Sequence, residues 1–290
     1  MQEAGAIERP IFIEPLVNNR FSSPNGEVAF SAACFEGTNW SLAPLQEPDD
    51  VKKDPDLAER VSLALMGLDA DTVFAPNPTA FNGKVIYPPN LDRILKLGNG
   101  VYMHRRRDKP ADATFLRYPR HAGVFSAGGC GVMVISYKKT LMFGHAGRES
   151  LIDRKRVETR GRESDRPTDL IDNMLDALKV KPGEEDQVFA WPLYFIKPEH
   201  FAHRFDDPDP KHRPYNQAAS KYLPRMYGED AARVDHEAVY IDLPRIAQMQ
   251  LILRGVPEEN VFLEHSYLDD ALPTTRRGGG RYLVAVVRHR

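Results

Sequence analysis

The stretch that most constrains this chain is CGVMVISY (Cys130–Tyr137), where Val132-Met133-Val134-Ile135 runs apolar without alternation. A run of strand length with no polar side describes a strand covered on both faces, and so a sheet held between other layers. It is flanked by GVFSA (Gly123–Ala127) and TLMFGH (Thr140–His145), and Lys138-Lys139 falls where a tight connection belongs. EVAFSAACF (Glu27–Phe35), TVFAP (Thr72–Pro76) and KVIYP (Lys84–Pro88) read as earlier strands. QVFAWPLYFI (Gln187–Ile196), NVFLEH (Asn260–His265) and the closing GRYLVAVVRHR read as later ones. Helical spacing is expected over Asp56–Leu68, roughly Glu149–Arg160, Pro167–Leu178 and Leu243–Val256, the last ended by Gly255. Alternating strands and helices make this a layered α/β chain. Pro and Gly are dense before about Pro119 and again at Asp206–Pro214, which reads as loop and surface. No repeat and no linker divides the chain.

Composition narrows the function classes. Lys and Arg number 39 against 41 Asp and Glu, a formal charge of -2, so there is no broad basic field for nucleic acid or for anionic lipid. No apolar run approaches the ~20 residues of a membrane span, and residues 1–9 are too polar for a secretion core. Two cysteines, Cys34 and Cys130, cannot form a disulfide framework, which makes a reducing cytoplasm the expected compartment. No Gly-x-Gly-x-x-Gly or Walker loop is present.

The chemistry-bearing feature is Gly128-Gly129-Cys130 at the start of one strand and His145-Ala146-Gly147 at the end of the next. Antiparallel pairing through a tight hairpin would set Cys130 and His145 facing each other, with glycines leaving space above them. A thiolate and an imidazole suit zinc, which needs a third ligand and an open position for catalysis. The same pair suits a thiol nucleophile with its general base. The plain alternative is a buried, inert thiol beside a hydrogen-bonded histidine. His104 and His121 are candidates for a third ligand. Arg105–Arg107 either steers an anion or forms a solvated face. Arg276-Arg277 and Arg281, around a glycine run, either hold an anion or make a surface turn. His200, His203 and His212 lie in an expected surface segment without ligand spacing.

In order and spacing these residues resemble the YfiH-like, or laccase-domain, family. Its Ala-Asp-Ala, Ala-Asp-Cys and His-Ala-Gly-Trp-Arg-Gly motifs are similar to Ala111-Asp112-Ala113, Ala127-Gly128-Gly129-Cys130 and His145-Ala146-Gly147-Arg148. Its C-terminal pattern resembles Tyr240-Ile241-Asp242-Leu243, Gln250-Leu251, Gly255-Val256 and the pairs Arg276-Arg277 and Gly280-Arg281. The resemblance implies a mixed-sheet layered sandwich with helices outside, one domain over residues 26–290 behind an N-terminal extension of residues 1–25. It also implies a zinc held by two histidines and a cysteine, with purine nucleosides and phosphate as substrates for phosphorolysis or adenosine deamination. On this chain the metal would lie at Cys130 and His145, which are also the catalytic residues, with His104 as the third ligand; Arg148, Arg276, Arg277 and Arg281 would bind substrate. The sequence departs from the family at Asn82, where the first histidine ligand is expected, at Gly129 and at Arg148. Those departures favour two other readings of the same residues. One is a thiol hydrolase or deamidase, since glutamine-deamidating toxins share a related core with a strand-borne cysteine and a nearby histidine. The other is a catalytically degenerate binding protein.

Overall fold

Period-two alternation sorts the apolar side chains of the long strands into separate cores. The computed structural model describes residues 13–35, 40–45, 49–78, 85–86, 94–105, 111–159, 169–268 and 281–290. In chain order the first strands are β1 (Val17–Ser22), β2 (Ala29–Phe35), β3 (Thr72–Phe74), β4 (Val85–Ile86), β5 (Ile94–Gly98), β6 (Val101–His104) and β7 (Ala113–Leu116). The remainder are β8 (His121–Ala127), β9 (Gly131–Tyr137), β10 (Thr140–Ala146), β11 (Val188–Leu193), β12 (Ala202–Arg204), β13 (Ala232–Val234), β14 (Ala238–Ile241) and β15 (Tyr282–Arg288). The helices are α1 (Asp50–Lys53), α2 (Pro55–Gly67), α3 (Arg148–Leu151), α4 (Arg154–Glu158), α5 (Leu170–Leu178), α6 (Arg213–Tyr227) and α7 (Leu243–Leu253).

The strands form a seven-stranded sheet in the order β1-β2-β15-β8-β3-β6-β5 and a five-stranded sheet in the order β11-β9-β10-β7-β4. A small sheet, β12-β14-β13, stands apart. Val132, Val134, Leu141 and Phe143 of the five-stranded sheet share a core with Phe30, Ala32, Phe125, Val284 and Val286 of the seven-stranded one. Residues one step away turn outward. Met133, Ile135 and Met142 meet α5, α6 and α7, and Ala33, Val124 and Ala285 meet α2. The molecule is therefore helix, sheet, sheet and helix in four layers, the mixed-sheet sandwich with helices outside that the sequence led us to expect. The two sheets approach closely at Gly123, where an added Cβ would lie 2.4 Å from the Phe143 ring.

Local chemistry sets the element ends. In α2 the Asp54 side chain accepts from Leu57 N at 3.1 Å and Pro55 opens the first turn, so the helix starts one residue before the expected Asp56. Lys138 adopts φ 51 in the two-residue connection between β9 and β10, which locks the register of that hairpin. Several expectations are corrected. The segment assigned to an N-terminal extension supplies β1, every residue of which pairs with β2. The helix expected over Glu149–Arg160 is two short ones, because extended Asp153 breaks the turn and its side chain caps α4. Asn260–His265 contributes only an isolated bridge at Val261 to Ala190. The Pro-rich segment near Pro214 opens α6, with Pro214 in its first turn, where a missing N–H costs nothing. Among the described residues no helix is long and apolar enough to cross a membrane.

Candidate active site

The β9–β10 hairpin pairs His145 with Val132 and Ala146 with Gly131. Cys130 is thus one step past the last pair, opposite Gly147 and diagonal to His145, rather than facing it directly. Both side chains fall on the strand faces that look into the space between the sheets. His145 packs there on Phe125, with ring centroids 4.2 Å apart, and partly buried Cys130 packs on the same core. A diagonal pair meets only if the residue between leaves room. A Cβ on Gly147 would lie 2.6 Å from His145 Cε1, 2.7 Å from Nε2 and 3.4 Å from Cys130 Sγ. Gly147 has φ -76, so its backbone would accept any residue and the demand for glycine is purely steric. Gly147→Ala is expected to push the imidazole off the sulfur and slow thiol chemistry by roughly a hundredfold. Its stability cost should be only about 1–3 kcal/mol. Alkylation rates of Cys130 and urea midpoints measured on the same preparation check both.

The imidazole is oriented from behind. Asp112, fully buried just before β7, accepts from His145 Nδ1 at 3.2 Å and from Ser150 Oγ at 2.9 Å through the same oxygen. Its backbone carbonyl accepts from His145 N at 2.7 Å. With Nδ1 committed to Asp112, Nε2 is left for Cys130, and a hydrogen bond joins those two side chains. Burial works against a charge on His145. The bonds to Asp112 and Cys130 and their Coulomb attraction outweigh it and hold the imidazole up at about 9. Cysteine, histidine and aspartate thus stand in series, an arrangement that suits a nucleophile, its base and a group that orients the base.

A cavity of about 640 Å³ opens over Cys130 and His145, lined also by Asn77, Arg105, Arg148 and Arg281. Arg148, expected to bind substrate, does line it. Its Nη1 donates to His203 Nδ1 at 2.8 Å, its Nη2 to Glu149 at 3.2 Å, and it lies over the Tyr215 ring. Arg281 donates to Ser126 O at 3.2 Å. His104 is elsewhere. It ends β6, stacks on Phe74 with ring centroids 4.9 Å apart, and does not line the cavity. His121 also packs on Phe74. Asn82, Arg276 and Arg277 lie outside the described residues.

Sequence reasoning assigned no role to Asp112, although its Ala-Asp-Ala setting was visible, nor to Ser150. It placed His203 on the surface, whereas it is buried and accepts from Arg148. Of the two readings open for Arg105, the solvated face is excluded, since this residue is 8% exposed and lines the cavity.

The donor set tests the zinc expected from the sequence. Cys130 and His145 are suitable donor types, but among the described residues no three His, Cys, Asp or Glu side chains are grouped to hold a metal ion. Asp112 engages the far edge of the imidazole and does not converge with the sulfur. Among the described residues Cys130 and His145 are thus two donors where a stable zinc site needs three protein ligands converging on one point.

Fold and site together define a four-layer α/β protein with a Cys–His–Asp series at one end of its inter-sheet space. That fold is shared by a hypothetical protein YfiH from Bacillus licheniformis, with TM-score 0.58 and 15% identity, over 90% of this chain and 92% of that one. It is shared also by YlmD from Geobacillus stearothermophilus, with TM-score 0.59 and 14% identity, over 97% of this chain and all of that one. A Neisseria meningitidis protein of the DUF152 group aligns with TM-score 0.57 and 14% identity, over 94% and 99% of the two chains. At these identities the likeness is one of fold. No family model matches the sequence, and no curated protein matches it either.

Proposed function

We propose that this protein is a thiol-dependent hydrolase or deamidase that cleaves an amide through a covalent intermediate on Cys130. The observation that carries the reading is the series Cys130, His145, Asp112, in which one imidazole nitrogen is held by a buried carboxylate and the other is left for the sulfur. An imidazolium against a thiol favours the thiolate. Sulfur attacks the amide carbon, and His145 passes its proton to the nitrogen as the C–N bond breaks and an amine or ammonia leaves. Water, deprotonated by His145, then opens the thioester and returns the proton to the pair. Asp112 keeps the tautomer and ring angle constant throughout, and Ser150 keeps Asp112 in place.

The test uses p-nitrophenyl acetate, an activated acyl donor. A burst of p-nitrophenol near one equivalent is expected, with one acetyl group on Cys130 by mass spectrometry, and neither in Cys130→Ser. The cavity's volume and arginines also suit a nucleoside with phosphate, the reaction that the family resemblance implies. Under the thiol reading, inosine and phosphate give no free base, with or without added zinc. Zinc-dependent release of base, with no burst and no acetyl group on Cys130, would replace the thiol reading by the metal one.

A further inference from the structure

Two arginines of this chain are buried to a similar degree and are treated very differently by their surroundings. Arg288, 6% exposed, is saturated by carbonyls. It donates to Leu116 O at 2.8 Å, Arg117 O at 2.9 Å, Lys139 O at 2.6 Å and Arg290 O at 2.9 Å. That is a structural guanidinium, with its protons spent on closing the sandwich. Arg105, 8% exposed, makes two long contacts to neutral groups, Nη1 to Pro76 O and Nη2 to Asn77 Oδ1, both at 3.4 Å. Its Nε is buried and has no acceptor among the described residues. Glu149 is the one carboxylate among the described residues that line the cavity, and it is held by Arg148. A buried guanidinium with spare protons and no counter-charge is costly to keep unless something else uses it. Arg105 shares its cavity with Cys130 and His145.

We infer that Arg105, with Asn77 beside it, forms an oxyanion subsite, so that the molecule presented to Cys130 carries a carboxylate or phosphate group. Planar guanidinium geometry matches two oxygens of either group. Burial lowers the guanidinium to about 10, which leaves it charged at neutral pH. Asn77 adds an amide already in contact with Arg105, and the burial of both side chains keeps the pair poorly screened. The substrate class is therefore an amide with an anionic substituent. The reaction rests on the thiol reading above, whereas the anion subsite rests on Arg105 alone.

Two measurements separate these. Iodoacetate and iodoacetamide deliver the same carbon to a thiol but differ in charge. Alkylation at Cys130, followed by site-specific mass spectrometry so that Cys34 is counted separately, is expected to favour iodoacetate at least about tenfold more than free cysteine does. Arg105→Gln should erase that preference and Arg105→Lys should retain part of it. Independently of the thiol, calorimetric titration of the wild-type protein with succinate and with inorganic phosphate should show binding of at least one, weakened about tenfold or more in Arg105→Gln. Tighter succinate binding identifies the carboxylate, and tighter phosphate binding the phosphate. If neither anion binds, or both bind Arg105→Gln as tightly, the subsite is overturned. If anions bind as expected while neither reagent modifies Cys130, the subsite stands and the thiol reading falls.

Discussion

His145→Asn is expected to slow alkylation of Cys130 by iodoacetamide about a hundredfold at pH 6. An unassisted thiol titrates near 8.5, so at that pH only roughly one molecule in 300 is thiolate. In the wild-type protein His145 stays protonated up to about 9, and under the thiol reading an adjacent imidazolium favours the thiolate at that pH. The lower intrinsic nucleophilicity of a stabilised thiolate takes back part of the gain, which is why the expected ratio is nearer one hundred than three hundred. Near pH 9 the two proteins should converge, because the imidazole has lost its proton and ordinary thiol ionisation has caught up. The rate profile between pH 5 and 10 checks this. Identical profiles for the two proteins would remove the ion pair from the account.

Asp112→Ala should be the most damaging single change to the site. It takes from a fully buried place the carboxylate that receives His145 Nδ1 and Ser150 Oγ. Both donors are left without that acceptor, at a stability cost of about 2–4 kcal/mol. Burial, the force that opposes charge on His145, then acts with less to offset it and the imidazole pKa falls. Asp112→Asn should spare much of the stability yet still lose reactivity by about three to four orders of magnitude, because an amide can favour the wrong tautomer. The pH dependence of stability carries its own sign. A histidine raised in the folded state from 6.5 to about 9 contributes stability that is fully present below 6.5 and is lost as pH rises through 9. Urea unfolding of the wild-type protein at pH 6 and pH 10 should therefore differ by a few kcal/mol from this source. Asp112→Asn should show a smaller difference.

Much of the framework can be read from local pattern. The apolar run Val132–Ile135 is covered on both faces, the Lys138-Lys139 connection is tight, and α2 occupies nearly all of the helical spacing at Asp56–Leu68. These are consequences of period-two and period-3.6 spacing and of backbone groups that need partners close in sequence. The pairing of Cys130 with His145 was legible for the same reason, since a two-residue connection leaves little choice of register. Its diagonal geometry was not, because the last pair of the ladder depends on where β9 begins. At that point Gly131 leaves space for Phe195, whose ring atoms would lie 2.3 and 2.5 Å from an added Cβ.

What the sequence by itself determined is the layered α/β class and the meeting of one sulfur with one imidazole on a hairpin. Only the tertiary structure decided what surrounds that pair. Asp112 sits 33 residues from His145 and reaches it because β7 pairs with β10. Arg105 comes from the end of β6 in the other sheet, and His203 from β12 within the small third sheet, where it is buried. Hydrophobic periodicity is a short-range signal, whereas a site is assembled by sheet order and by the stacking of one layer on another. Those long-range choices decided that His145 is backed by a carboxylate and that Arg105 has no counter-charge among the described residues.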